Sequence, residues 1–118
     1  MTTTYTTEYD ETFTITHRVG RYSENDDLMN IFEAHDEEGK LATSLYANIE
    51  TGQIMQVETR KENRGEGIAT AVAQYAVDNG FELFHSPEEH CTEKGLDFAR
   101  RADFIDVIDP ELAYQPKN

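Results

Sequence analysis

The hydrophobic pattern of this chain changes period once, at about Gly67, and that change constrains the fold more than any other feature. Before it, Phe13, Ile15, His17 and Val19 alternate with polar neighbours, the period of a half-buried strand. The alternation resumes in "LMNIFEAH", where Leu28, Asn30, Phe32 and Ala34 oppose Met29, Ile31 and Glu33. It continues through Leu41, Thr43, Leu45, Ala47 and Ile49, and then through Met55, Val57 and Thr59. The turns "DEEGK" and Thr51-Gly52 are short, so consecutive strands pair antiparallel. After Gly67 the apolar residues Ile68, Ala71, Val72, Tyr75 and Ala76 follow helical spacing, and Asn79-Gly80 stops the helix.

Downstream, "FELFH" reads as a strand, and "SPEE" has a capping-box pattern with Pro87 at the first helical position. "TEKGLDFARRA" forms a second helix with Leu96, Phe98, Ala99 and Ala102 apolar, weakened by Gly95. Residues 1–11 carry no period and read as a loose end or an edge; the tail holds one short strand before a loose end at 110–118. The order is that of an α+β fold: an antiparallel meander, then helix, strand and helix. At 118 residues the chain supports a single domain with one core, over 1–118. A parallel partner for "FELFH" would splay the sheet beside the crossing at 59–68 and open a crevice there.

Ten Lys and Arg against 24 Asp and Glu give a formal charge of −14. That field repels nucleic acid and anionic membrane surfaces; it serves solubility or favours cationic partners. No apolar run approaches a membrane span and no signal-peptide pattern is present, so the expected location is the cytoplasm. A single cysteine, Cys91, rules out an intramolecular disulfide. Against this acidic background, Arg60, Lys61 and Arg64 cluster directly before the glycines of "ENRGEGIAT". A helix beginning at about Gly67 exposes its first N–H groups and the positive end of its dipole. Gly65 and Gly67 clear side chains from that approach, and Arg64 offers a forked donor. The stretch suits a phosphate or pyrophosphate; a plain glycine turn before a helix is the other reading.

Arg64-Gly65-Glu66-Gly67-Ile68-Ala69 resembles the Arg-x-x-Gly-x-Gly/Ala signature of the GNAT superfamily of N-acetyltransferases. "TEKGLDFARRADF" is similar to a later helix of that family, with Thr92, Gly95, Phe98 and Phe104 in register, so the resemblance covers about residues 53–104. It implies acetyl-CoA as co-substrate. Arg64, Gly65, Glu66, Gly67, Ile68 and Ala69 would hold the pyrophosphate, Val57 to Thr59 would run beside the pantetheine arm, and Arg60 or Lys61 would meet the nucleotide phosphates. The position of Glu66 is frequently basic in the family, and its side chain is expected to point outward, as a first-turn carboxylate.

Acetyl transfer to an amine needs a base for the ammonium and an acid for the leaving thiolate. Glu50, Glu58 and His85 are the candidate bases. Ala99 stands where the family often carries a tyrosine acid, and only residues 20–27 lie where the family has two helices. The acceptor side is thus open, completed by a partner or absent; an apolar face there would imply a homodimer. His85, His90 and Cys91 match no zinc spacing, so no metal is expected. Two functions follow: a compact GNAT-like acetyltransferase acting on a protein amine or a small cationic acceptor, or a non-catalytic acidic interaction protein of the same fold that engages a basic partner.

Overall fold

A computed structural model describes residues 2–87 and 92–113. It is an α+β structure: five antiparallel strands in the order β1-β2-β3-β4-β5, followed by two helices. The strands are β1 (Thr3–Thr6), β2 (Thr12–Gly20), β3 (Met29–His35), β4 (Leu41–Asn48) and β5 (Ile54–Thr59). A short 3-10 turn, Lys61–Asn63, leads to helix α1 (Ile68–Asp78), and α2 spans Glu93–Arg101. Among the described residues no helix is long and apolar enough to cross a membrane.

The meander has one strand more than the alternation indicates. Thr3–Thr6, within the stretch read as a loose end or an edge, is the edge strand and pairs with β2, Tyr5 opposite Phe13. β3 is central and buried on both faces, with Ile31 and Phe32 each at 0% exposure. Phe32, Leu45 and Val57 are in register and face α1, whose Val72, Ala73, Tyr75 and Ala76 complete a core with Phe13 and Ile15. Tyr46, Gln56, Glu58 and Glu33 occupy the alternate positions, on the face turned away from α1.

α1 ends where Asn79-Gly80 indicates. Gly80 at φ 87° allows its own N–H to bond the Val77 carbonyl at 3.1 Å and that of Phe81 to bond Ala76 at 3.0 Å. Phe81 then packs against His17 and Phe32. The expected strand "FELFH" is reduced to two isolated parallel bridges, Gln53 with Phe84 and His85 with Val107. The reason is a change of partner: Phe84 bonds Gly52 and Ile54, whereas His85 bonds Asp106 and Ile108. The chain therefore leaves β5 after one residue. Past that point the outer edge of β5 has no strand partner among the described residues, and the two segments diverge.

α2 starts at Glu93, with the Thr92 hydroxyl capping the Gly95 amide at 3.1 Å. Pro87 therefore does not begin this helix, and residues 88–91, with most of "SPEE", lie outside the described residues. The tail's short strand is the bridge at Val107; Ala113 is buried, and 114–118 lie outside the described residues.

Candidate functional site

The divergence of β5 from Phe84–Ser86 opens a groove of about 960 Å³, walled by β5, the 63–70 loop, the N-terminal turn of α1 and one side of α2. Its lining includes Val57, Glu58, Thr59, Arg60, Arg64, Gly65, Gly67, Ile68, Ala69 and His85. Lys61, Glu66 and Glu50 do not line it.

At the head of the groove the backbone forms an array of donors. Gly65 and Gly67 adopt φ 82° and 79°, conformations that favour glycine. Gly67 is the N-cap of α1 and offers no side chain to the first turn, whose earliest helical bond is from Ala71 N–H to the Gly67 carbonyl. The amides of Gly65, Glu66, Gly67, Ile68, Ala69 and Thr70 consequently donate to no acceptor among the described residues. A Cβ on Gly65 would meet nothing within 4 Å, so this part of the loop opens to space. Arg64 anchors its Nε to the Thr59 carbonyl at 3.1 Å and has no ion pair among the described residues.

Two of the expected cofactor residues are used otherwise. The Arg60 guanidinium binds Asp36 at 2.9 Å and also bonds Asn63, while Arg60 still lines the groove. Together with the Lys40 and Glu38 amides, Arg60 holds the Asp36 carboxyl below its usual range, the Lys40 amide contributing most. Glu66 points neither outward nor into the groove. Its carboxylate accepts from Asn63 Nδ2 at 2.7 Å, its other oxygen is buried without a partner, and its carbonyl accepts from the Tyr5 hydroxyl. Asn63 and Tyr5 thus both hold the loop at Glu66, one through its side chain and the other through its carbonyl. Asn63 is a residue that sequence reasoning missed: its bond to Glu66 is local, but its bond to Glu11 crosses the fold and leaves no sequence signal.

The three candidate bases are not brought together. Glu50 sits exposed in the β4–β5 turn, its amide bonded to Asn48 Oδ1. His85 is buried, and its Nε2 is 2.8 Å from the Ala102 carbonyl, with Phe98 edge-on to the ring. A carbonyl only accepts, so Nε2 carries the proton. Glu58 lies on the face away from α1, where one oxygen accepts from Tyr22 at 2.9 Å and Gln56 at 3.0 Å. Tyr22 belongs to residues 21–28, which join β2 to β3 without a helix. Ser44, Gln56 and Glu58 line the groove as well, so that face is continuous with it. His90 and Cys91 lie outside the described residues.

Fold and site together define an α+β protein with a glycine loop at the head of an edge-strand groove. No family model matches the chain, and neither a curated protein nor a solved structure matches it.

Proposed function

We propose that the groove binds acetyl-CoA and that the protein transfers the acetyl group to an amine, as the resemblance to GNAT N-acetyltransferases implies. The observation that carries this reading is the run of six undonated amides from Gly65 to Thr70 beside an Arg64 free of ion pairs. A pyrophosphate supplies oxygens for several such donors at once, and in a chain of charge −14 a local cradle is needed to hold it. Beyond Ile54 the outer edge of β5 pairs with no strand among the described residues, and it offers backbone groups to the amides of a pantetheine arm, as for an added strand.

In the transfer the ammonium loses a proton, its nitrogen attacks the thioester carbonyl, the C–N bond forms as the C–S bond breaks, and the thiolate takes up a proton. Glu58 is the base, since it is the one candidate carboxylate that lines the groove, while Glu50 is remote and His85 is held by Ala102. Ala99 supplies no acid and no tyrosine lines the groove among the described residues, so water protonates the thiolate.

The test is thiol release from acetyl-CoA with a lysine-containing peptide as acceptor. Glu58→Gln should lower kcat/KM by about 10²-fold or more while leaving acetyl-CoA binding intact. Bound acetyl-CoA with no release across protein and small cationic amines would favour the second reading, an acidic module engaging a basic partner. That reading draws on the net charge and on Ala99.

A further inference from the structure

The face of the sheet turned away from α1 carries a second arrangement, which shares Glu58 with the groove. Its two carboxylates have opposite situations. Glu33 is nearly buried and fully answered, both oxygens facing Arg18, at 2.9 Å to Nε and 3.4 Å to Nη2. Glu58 is exposed, and its partners, Tyr22 and Gln56, are neutral and share one oxygen, Oε1. No cation pairs with Glu58 among the described residues. A charge held in place by neutral donors, with its second oxygen left over, is suited to a cation from outside.

Aromatic rings stand beside it. Tyr46 is a cross-strand neighbour of Gln56 and stands one register step from Glu58 on the same face. Tyr22 reaches over from the β2–β3 connection to meet Tyr46 edge-on, with ring centroids 5.2 Å apart, while its hydroxyl holds Glu58. Tyr22 itself is 51% exposed, so its ring faces solvent rather than core. Two electron-rich rings and a carboxylate without a counter-ion are the elements of an ammonium site.

We propose that Tyr22, Tyr46 and Glu58 form the acceptor subsite and select a primary ammonium on a slender aliphatic chain, such as a lysine side chain. This rests on the acetyl-transfer reading for its catalytic meaning, though the binding itself does not. The carboxylate takes the charge, the rings take the ammonium and the adjoining methylenes, and Gln56 fixes the carboxylate by its amide. The missing helices leave the face open, which admits a side chain protruding from a larger molecule. Continuity with the groove through Ser44 and Glu58 places the ammonium beside the cofactor channel.

The experiment uses the whole chain, without acetyl-CoA, and reads the tyrosine ring resonances by NMR. The probes are Nα-acetyl-lysine methylamide and its uncharged counterpart, Nα-acetyl-norleucine methylamide. The lysine probe should shift Tyr22 and Tyr46 saturably and the norleucine probe should not. Glu58→Gln, which preserves shape, should weaken the lysine probe roughly tenfold, and Tyr46→Leu should weaken it severalfold, with the thermal unfolding of each variant as its folding control. Equal shifts from both probes, no shift at Tyr22 and Tyr46, or unchanged affinity in Glu58→Gln would overturn the site. Acetyl-CoA binding is measured separately. Cofactor binding with no lysine-probe response removes this subsite and spares the groove; a lysine-probe response with no cofactor binding removes acetyl transfer and spares the subsite.

Discussion

The hydroxyl of Tyr5 on the edge strand donates to the carbonyl of Glu66 in the glycine loop, 3.1 Å away and 61 residues later in the chain. The same hydroxyl lies 3.0 Å from where a Cβ on Gly67 would stand. An edge strand thus supports the loop that lies at the head of the groove. Tyr5→Phe removes one part-buried hydrogen bond and should cost about 1 kcal/mol in stability by denaturant titration. It should also weaken acetyl-CoA binding severalfold, because the donors lose their support. Gly67→Ala, which adds a disfavoured φ and a contact with Tyr5, should cost on the order of 1–2 kcal/mol or more. Wild-type stability and affinity in both variants would show that β1 does not shape the loop.

Glu66 keeps a buried carboxylate oxygen without a partner, close to a loop that is otherwise suited to anions. Glu66→Gln retains an oxygen for Asn63 and removes the negative charge. Affinity for acetyl-CoA should rise by roughly three- to tenfold at low salt, and the gain should shrink as salt screens it. A fall in affinity on this substitution would mean that the carboxylate is needed to hold the loop.

Tyr22 ionises with difficulty because its hydroxyl donates to the Glu58 carboxylate, whose charge also opposes a phenolate. The pKa is raised in the folded state, so the contact's stabilisation is present below the unfolded tyrosine value of about 10 and is lost as pH rises through the folded value. In an ultraviolet titration of Tyr22, assigned by the Tyr22→Phe difference, ionisation should begin above the ordinary range. Glu58→Gln should return it toward that range; an unchanged midpoint would remove Glu58 as the cause.

His85 was a candidate base by position, and its surroundings are those of a structural residue. Replacing it with alanine leaves the Ala102 carbonyl without its buried donor and empties the space against Phe98. The loss should be about 2–4 kcal/mol, read as a lower unfolding midpoint. Cofactor affinity and the pH profile of turnover should be retained under conditions where the variant remains folded. A profile that loses an ionisation near neutrality, with stability unchanged, would restore His85 as a base.

The strands, the two helices and the glycine loop were legible because each depends on local pattern. The period-2 alternation gives β2 to β5, the shift to helical spacing gives α1, and the apolar positions of "TEKGLDFARRA" give α2, which the structure caps with Thr92. β1 was less legible, since its threonines face outward and its pairing with β2 is the main signal of order. The site was legible where backbone determines it, at Gly65 and Gly67, and illegible where side chains choose among distant partners. Arg60 turns to Asp36, Asn63 reaches Glu11, and His85 turns to Ala102. Tyr22 was likewise hidden in a polar connection, since nothing in "GRYSENDD" shows that its hydroxyl reaches Glu58 across the sheet.

The central claim is that the amides from Gly65 to Thr70, with Arg64, hold the pyrophosphate of acetyl-CoA. Calorimetric titration of acetyl-CoA into the wild type, Arg64→Ala and Gly65→Asp tests it most directly. A side chain at Gly65 meets open space, and aspartate is among the side chains that best tolerate its positive φ, so the variant should remain folded at a cost of about 1 kcal/mol while presenting a carboxylate at the groove mouth. The account predicts micromolar binding to the wild type, weakened by about tenfold or more in Arg64→Ala and abolished in Gly65→Asp. Absence of heat and of thermal stabilisation at millimolar acetyl-CoA, or equal binding to all three proteins, would contradict it.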